Sequence, residues 1–228
     1  MEKVNIELIK IFGPSILKVN IPKPIIENLN NYIDKIILDK KKSKELDIGE
    51  RLVGDVTQEF ELEQKIMQES GWGQFLSNCV SKWIELETKN KITKFQILKS
   101  WVVRQYENEY NPTHIHTQCQ ISSAMYLKVP KFAESRKKHR SQDDGSICFT
   151  APASRDHDLS NPTWSWRPHV GDCFIFGAQQ LHHVYPYRVE QGDPERRCVS
   201  FNALFSSQSD QDKFNQEQAK IQELKKKN

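Results

Sequence analysis

The feature that most constrains this chain is a succession of short strand-like runs in its second half. Each run is rich in β-branched or aromatic residues and is bounded by Pro, Gly or Asn. The runs cover residues 97–106, 121–129, 146–149, 172–176 and 199–205. Because no helical pattern alternates with them, the sequence predicts an antiparallel barrel or sandwich and not a parallel α/β sheet.

The first half carries helical patterns instead. From Lys23 to Leu38, apolar residues recur at helical spacing behind two prolines, which predicts an amphipathic helix. A second helical region is predicted over 58–87, and the lysine run at 40–44 is interpreted as a solvated turn. The predicted class is therefore α+β, mainly β, with a β-barrel that N-terminal amphipathic helices support.

We expect one domain at 1–205, with helical support at 1–94 and a β core at 95–205. A chain of 228 residues with 37% hydrophobic content can bury such a core. Residues 206–228 are nearly all polar and are expected to form a charged tail, helical or frayed. The long polar segment 131–169 is predicted to be a loop, which we interpret as a lid over a substrate.

Charge and cysteine content exclude several classes of protein. The net charge of +3 is too small to indicate binding to nucleic acid through phosphate neutralisation. No stretch approaches the roughly 20 apolar residues that a bilayer requires, and charged residues interrupt the N-terminus where a signal sequence would be apolar. Five cysteines without a C-x-x-C pair indicate reduced thiols. We therefore predict a cytoplasmic protein that binds neither membrane nor nucleic acid.

Histidines at strand ends are the clearest sign of chemistry. His114 and His116 are two residues apart, so on a strand both rings would lie on one face, with Ile115 on the other. Two imidazoles that point to one place suit a divalent metal, although two surface histidines after a proline turn would give the same pattern. Either His182 or His183 could be a third ligand, and strand periodicity does not choose between these adjacent residues.

An arginine also has a predicted inward position. Residues 195–202 alternate in character, so Arg196, Cys198, Ser200 and Asn202 are expected to share one face of a strand. A guanidinium inside a barrel is costly unless it meets an anion. That anion could be a ligand, or the arginine could form a rim salt bridge with a nearby acidic side chain.

Taken in order, these motifs resemble the Fe(II)/2-oxoglutarate-dependent oxygenases of the double-stranded β-helix superfamily. The likeness is greatest to a subgroup whose members carry His-x-His-Pro before a Ser-Gly-x-Tyr-Tyr strand. It rests on H-x-H at 114–116, the strand 122–130, P-x-x-G-D at 168–172, Phe176 with His182 six residues later, and Glu195-Arg196 leading to Ser200-Phe201-Asn202. The resemblance spans nearly the whole chain and implies a double-stranded β-helix (jelly-roll or cupin-like) fold.

The resemblance also implies roles for individual residues. It makes His114 and His116 the first two metal ligands and selects His182 as the third. Arg196 is then expected to pair with the distal carboxylate of 2-oxoglutarate, to which a guanidinium can bind in a bidentate manner. Ser200 is expected to offer a hydroxyl donor to the co-substrate.

Two further residues complete the expected site, and three positions depart from the subgroup's pattern. Tyr126 and Asn202 are expected to form walls of the co-substrate site, although a tyrosine in a β core is often there for packing alone. The departures are Thr117 in place of proline, Ala124 in place of glycine and Cys198 in place of a second serine.

The type of the second ligand is unusual. Such oxygenases ordinarily use two histidines and one carboxylate, whereas His116 stands where the Asp or Glu would fall. A neutral imidazole there leaves the site one unit more positive, which should strengthen binding of the dianionic co-substrate. The nearby Glu107 and Glu109 are an alternative source of a carboxylate ligand.

The implied function is an Fe(II)- and 2-oxoglutarate-dependent oxygenase, a hydroxylase, that uses O2 and couples decarboxylation of 2-oxoglutarate to oxidation of its substrate. A small molecule or a peptide remains open as the substrate, and a homodimer is compatible with the sequence. One alternative is a cupin-type three-histidine thiol dioxygenase, which would use the same histidines but leave Arg196 without a role. The other is a non-catalytic β-barrel module that binds a ligand or a protein.

Overall fold

The computed structural model describes residues 6–9, 15–134, 143–151 and 163–227. The strands are β1 (Ile6–Ile9), β2 (Ile16–Asn20), β3 (Gln58–Glu61), β4 (Ile92–Gln105), β5 (Asn111–His114), β6 (Ile121–Lys128), β7 (Ile147–Thr150), β8 (Thr163–Trp166), β9 (Asp172–Gly177), β10 (Leu181–Val184) and β11 (Arg196–Ser207). The helices are α1 (Lys23–Leu38), α2 (Lys40–Glu45), α3 (Gln64–Glu69), α4 (Trp72–Thr88) and α5 (Gln208–Lys227), with a 3₁₀ turn at Gly49–Arg51.

The strands form two antiparallel sheets. The larger sheet has seven strands in the order β1-β2-β9-β6-β11-β4-β3, and the smaller has four in the order β5-β10-β7-β8. All the strand pairs are antiparallel, as the run of short strands without intervening helices predicted. The predicted α+β, mainly β class with a double-stranded β-helix is confirmed.

Helices cover the outer face of the larger sheet. Helix α1 buries Leu29, Ile33 and Ile36 there, at the bounds that its hydrophobic period predicted. Helix α4 buries a stripe that includes Leu76 and Val80 against the same face. Full burial of each such aliphatic side chain contributes roughly 1.5–3 kcal/mol, so this layer carries much of the stability of the fold.

A second apolar cluster fills the space between the two sheets. It contains Trp101, Tyr126 and Phe174 from the larger sheet and Phe149 from the smaller. Because side chains alternate along a strand, the neighbours of the residues from the larger sheet point outward to the helices, as Met125 does beside Tyr126. The inner faces of the sheets therefore enclose the space in which a site can form.

The predicted helical region 58–87 is wrong at its start. Residues Gln58–Glu61 form the strand β3, which pairs with β4 at the edge of the larger sheet. Phe60 is fully buried between two side chains that face the other way, which is the two-residue period of a strand. Strands β1 and β2 likewise lie within 1–94, so that region contributes strands as well as helical support.

Two other segments also differ from expectation. The lysine run is not a turn but the short helix α2, because the Asp39 side chain accepts hydrogen bonds from the backbone N–H groups of Lys41 and Lys42 at its N-terminus. The segment 131–169 contains β7 and β8, which pair with each other. Its residues 135–142 and 152–162 lie outside the described residues, so the lid stays a prediction.

The remaining expectations concern the tail, the thiols and the membrane. The tail forms helix α5, and the division between a domain at 1–205 and a tail at 206–228 stays a prediction. All five cysteines are free thiols, as predicted. None of the helices in the described parts of the chain combines the length and apolar content that crossing a membrane needs.

Candidate functional site

A cavity of about 270 Å³ lies between the inner faces of the two sheets. Strands β4, β6 and β11 of the larger sheet form one wall, and β5 and β10 of the smaller sheet form the other. Residues 51–53, which follow the start of the 3₁₀ turn, also line it. The cavity therefore collects side chains from distant parts of the sequence.

Three histidines meet at one end of this cavity. His182 on β10 pairs directly with His114 on β5, so the two rings lie on the same face of the smaller sheet. Strand β5 ends at His114, two residues before His116. The backbone N–H of His116 donates a hydrogen bond to the Ala178 carbonyl at 2.8 Å, which holds His116 beside the other two histidines. One ring nitrogen from each histidine lies within 4.8 Å of the others.

The hydrogen bonds of two rings fix which nitrogen is free. Nδ1 of His114 lies 2.7 Å from the Pro112 carbonyl, and Nδ1 of His182 lies 2.8 Å from the Gln180 carbonyl. A carbonyl can only accept, so both Nδ1 atoms carry the proton and each Nε2 presents a lone pair, which in His182 faces Nε2 of His116. Donation of Nδ1–H to a carbonyl is the usual way in which proteins orient a metal-binding histidine.

The spacing of the nitrogens suits one metal ion. Nε2 of His116 lies 3.3 Å from Nε2 of His182. Two neighbouring ligands at right angles, each about 2.1 Å from an ion, would be about 3.0 Å apart. This pair is therefore close to the separation that a shared ion requires, and the third nitrogen lies within 4.8 Å of both.

The electrostatics of the site keep these rings neutral. Burial lowers the pKa of His116 to about 4, with a further contribution from His114. Burial also lowers the pKa of His114, and that of His182 to well below its usual value. Metal ligation requires neutral imidazole, so the three residues present a donor set that fits a divalent transition metal at neutral pH.

The other ligand candidates lie elsewhere. His183 is half-buried, points away from the cluster and stacks edge-on against Tyr185. Glu107 accepts from the backbone N–H of Val189, and Glu109 accepts from that of Thr57. The alternative in which Glu107 or Glu109 supplies a carboxylate ligand is therefore wrong, because neither joins the histidine cluster and local backbone groups already hold both.

Arg196 projects into the same cavity from β11. It is 2% exposed, and its guanidinium donates to the Gly145 carbonyl at 2.6 Å and to the side-chain oxygen of Gln105. The rings of Tyr126 and Tyr187 lie 5.7 and 5.4 Å from its central carbon. The charge is thus held by neutral groups.

The guanidinium of Arg196 also has unused binding capacity. Its Nε is buried without a hydrogen-bond acceptor, and no carboxylate lies within ion-pair distance of Arg196 in the parts of the chain that the structure covers. The alternative of a rim salt bridge is therefore wrong. A buried, uncompensated cation in a cavity is a site for an anion, because isolated charge is strongly disfavoured there.

The other expected residues of the site share this face. Ser200 and Cys198 line the cavity beside Arg196, as the alternation along β11 predicted. Tyr126 lines it from β6. Asn202 lies further along β11, and its Oδ1 is buried without a hydrogen-bond partner.

Arg197 has a quite different environment. It lies on the opposite face of β11, as expected, but it is 1% exposed and bonded to two carboxylates. Its guanidinium donates to Glu195 at 3.0 Å and to Asp34 of α1 at 2.8 Å. This contact joins a helix to the sheet, so Arg197 contributes to the stability of the fold.

Two residues that line the cavity, Gln105 and Glu59, are not among those predicted from the sequence. Gln105 bonds Arg196 and pairs with it across β4 and β11. Glu59 of β3 also lines the cavity, but it falls in the segment that was predicted to be helical. The alternation of polar residues around Phe60 is the signal that could have revealed it.

Comparison with protein families identifies a match in the second half of the chain. Residues 99–202 match the family described as "Putative 2OG-Fe(II) oxygenase", and this range includes the three histidines and Arg196. A search of curated proteins finds no match.

Several solved structures are similar in fold. A prolyl-4-hydroxylase from Pseudomonas putida has a TM-score of 0.52 and 14% identity, with 81% of this chain and 87% of that chain covered. A collagen prolyl hydroxylase from Paramecium bursaria Chlorella virus-1 has a TM-score of 0.51 and 12% identity, with 82% and 94% covered. A prolyl hydroxylase from Trichoplax adhaerens has a TM-score of 0.51 and 11% identity, with 86% and 84% covered. These likenesses show the double-stranded β-helix fold.

Proposed function

We propose that the chain is an Fe(II)- and 2-oxoglutarate-dependent hydroxylase, and the match of residues 99–202 to the family described as "Putative 2OG-Fe(II) oxygenase" supports this proposal. The observation that carries the proposal is the joint presence, in one cavity, of three neutral imidazoles and an unpaired buried guanidinium. The first set fits a divalent metal, and the second fits the carboxylate of a co-substrate.

His114, His116 and His182 would hold the metal. In His114 and His182, Nε2 presents a lone pair for the metal because carbonyl oxygens hold the Nδ1–H groups. A site of three neutral ligands carries the full charge of the ion, which favours an anionic co-substrate beside it. When bound, Fe(II) and 2-oxoglutarate supply the oxidising chemistry of the family, in which a substrate C–H bond, O2 and 2-oxoglutarate yield an alcohol, CO2 and succinate.

Arg196 would hold the far carboxylate of 2-oxoglutarate. Its unsatisfied Nε–H and the neighbouring Nη–H groups offer donors along one edge of the guanidinium, which suits bidentate binding. Gln105 and Gly145 fix the other side of the group, and Tyr126 shields it from water. We propose Ser200 and Asn202 as further donors or walls of this part of the cavity.

Two other functions receive less support. A three-histidine thiol dioxygenase would leave a buried arginine without an anion, at a large cost in stability. A binding module without chemistry would not need neutral, pre-oriented imidazoles. Location in the cytoplasm, a small-molecule or peptide substrate and assembly into a homodimer stay predictions of the sequence.

The proposal is tested by measuring succinate formed from 2-oxoglutarate by the purified chain. We expect formation to require Fe(II) and O2, to be lost in His182→Ala and to be retained in His183→Ala. The adjacent histidine is the matched control, because it differs only in the face of β10 to which it points. Equal loss in both variants, or formation of succinate without iron, contradicts the proposed site.

A further inference from the structure

Glu59 is a buried carboxylate in the same cavity, outside the residues that match the family. It is 3% exposed and lines the cavity from β3. The register explains its direction: Glu59 pairs with Val103, which also lines the cavity, and paired residues point to the same side of an antiparallel sheet. The position of Glu59 is thus set by the fold and does not depend on a flexible loop.

Among the residues that the structure describes, none forms a hydrogen bond or an ion pair with Oε2 of Glu59. Its Oε2 is buried without a hydrogen-bond partner, and no lysine or arginine lies within ion-pair distance in the described ranges. The exposed Arg51 lines the cavity too but forms no ion pair with Glu59. Buried carboxylates are ordinarily paired or hydrogen-bonded, so the missing partner is expected to come from outside the chain.

The proposed metal cannot be that partner as the side chains stand. The cluster of potential ligand atoms within 4.8 Å of one another contains the three histidines and no carboxylate. The co-substrate cannot be the partner either, because 2-oxoglutarate is an anion and Arg196 lies elsewhere in the cavity. Of the three molecules that the proposed reaction brings to this cavity, the substrate is therefore the one that can offer a donor to Glu59.

The surroundings of Glu59 indicate the chemistry of that substrate. Leu52 and Val53 line the cavity on this side and offer apolar contact. Trp101, two pairs along the ladder between β3 and β4, also lines the cavity and adds an aromatic ring. A carboxylate beside an aromatic ring and aliphatic side chains is a suitable site for a cation on an alkyl stem.

We propose that the substrate carries a basic nitrogen on an alkyl chain, and that this nitrogen pairs with Glu59. The inference rests on the proposed function and adds the substrate class to it. The cation would bring N–H donors to Oε2, and its stem would lie between Leu52 and Val53 on one side and Trp101 on the other. A basic side chain of an amino acid or peptide and a free alkylamine share this chemistry.

The experiment compares three probes of equal length: n-pentylamine, 1-pentanol and pentanoate. Their binding to the purified chain is measured by ligand-observed NMR without oxygen, in the wild type, Glu59→Gln and Glu61→Gln. Glu61 is the matched control, because it lies two residues along β3 but is exposed and does not line the cavity. Acetylated lysine amide, acetylated norleucine amide and a short peptide with a central lysine then distinguish the source of the basic group.

We expect the amine to bind about tenfold or more tightly than the alcohol in the wild type and Glu61→Gln, and the preference to vanish in Glu59→Gln. Urea unfolding at pH 8 checks that Glu59→Gln folds, and we expect it to be at least as stable as the wild type. Equal binding of amine and alcohol, no binding of the amine, or a preference that survives in Glu59→Gln overturns the proposal. If the wild type binds Fe(II) and 2-oxoglutarate but does not prefer the amine, only this inference is overturned. If the wild type prefers the amine through Glu59 but binds neither Fe(II) nor 2-oxoglutarate, only the proposed oxygenase is overturned.

Discussion

The adjacent residues Arg196 and Arg197 give the sharpest prediction. Replacing Arg196 should weaken binding of 2-oxoglutarate, whereas replacing Arg197 should lower the stability of the fold. Each is buried on β11, but Arg196 faces the cavity without a carboxylate and Arg197 faces helix α1 with two. Replacing each with Met keeps most of the side-chain volume and removes the charge. The pair therefore separates the binding of an anion from the stability of the fold.

For Arg196→Met, the expected loss is in binding of 2-oxoglutarate. Truncating one member of a buried charge pair costs about 2–5 kcal/mol, which corresponds to a rise in Kd of roughly 30-fold to several thousandfold. Stability should change by less than about 1 kcal/mol. The variant leaves two acceptors, on Gln105 and Gly145, without their donors, but it also removes an uncompensated buried charge.

For Arg197→Met, the expected loss is in stability. The change leaves Glu195 with Arg104 and Lys128 as remaining partners and frees Asp34, so the cost should be near the lower end of the range for a broken buried pair, about 3 kcal/mol. In a domain of this size that lowers Tm by about 6–12 °C. Its affinity for 2-oxoglutarate should stay within a factor of about two of that of the wild type.

The assay combines urea unfolding with calorimetric titration of 2-oxoglutarate into the chain loaded with Fe(II) under nitrogen. A second check is the gain in stability on adding co-substrate, which should be about 2.7 kcal/mol at 100 times the Kd for the wild type and less than about 1 kcal/mol for Arg196→Met at that concentration. Unchanged affinity in Arg196→Met, or equal loss of affinity in both variants, refutes the assignment of Arg196.

Three further predictions concern titration and reactivity. Glu59→Gln should raise the free energy of unfolding by about 3 kcal/mol at pH 8, because burial and the charge of Asp47 raise the pKa of Glu59 from 4.5 to about 7. This difference in the free energy of unfolding should shrink as the pH falls through 7 and vanish below 4.5. A difference that does not vary with pH contradicts the raised pKa of Glu59. Burial acts against ionisation of Glu195, but hydrogen bonds from Arg197 and Arg104 outweigh it and lower the pKa to about 2, so the wild type should lose about 3 kcal/mol of stability as the pH falls from 4.5 towards 2. In Glu195→Gln, the free energy of unfolding measured with urea should depend less steeply on pH across that range. An unchanged dependence on pH contradicts the stabilising role of the Glu195 carboxylate. Thiol-reactive reagents at pH 7.5 should label Cys119 before the four buried cysteines, and uniform labelling rates would contradict the described burial.

The β core and its inward faces could be predicted from the sequence because their periods are simple. Alternation along β11 placed Arg196 and Ser200 on one side and Arg197 on the other, and the structure has this arrangement. The choice between His182 and His183 could not come from periodicity, because adjacent strand residues are equivalent until the register is known. Pairing of His182 with His114 supplies that register.

The parts that the sequence did not predict depend on contacts far apart in the chain. Strand β3 has four residues, too few for its period to outweigh the helical pattern that follows, and pairing with β4 is what makes it a strand. Glu59 was missed for the same reason. The polar segment 131–169 is predicted to be a loop, but it contains β7 and β8. Strand β7 pairs with both β8 and β10, and these pairings are not visible in the local sequence.

Absorption spectroscopy under nitrogen tests the central claim most directly. Fe(II) is added to the purified chain, followed by 2-oxoglutarate, and the visible spectrum is recorded for the charge-transfer band of an iron-chelated keto acid. We expect the band in the wild type and in His183→Ala, and no band in His182→Ala. Iron that binds to the wild type without giving the band, or a band that persists in His182→Ala, contradicts the assignment of this cavity as an oxygenase centre.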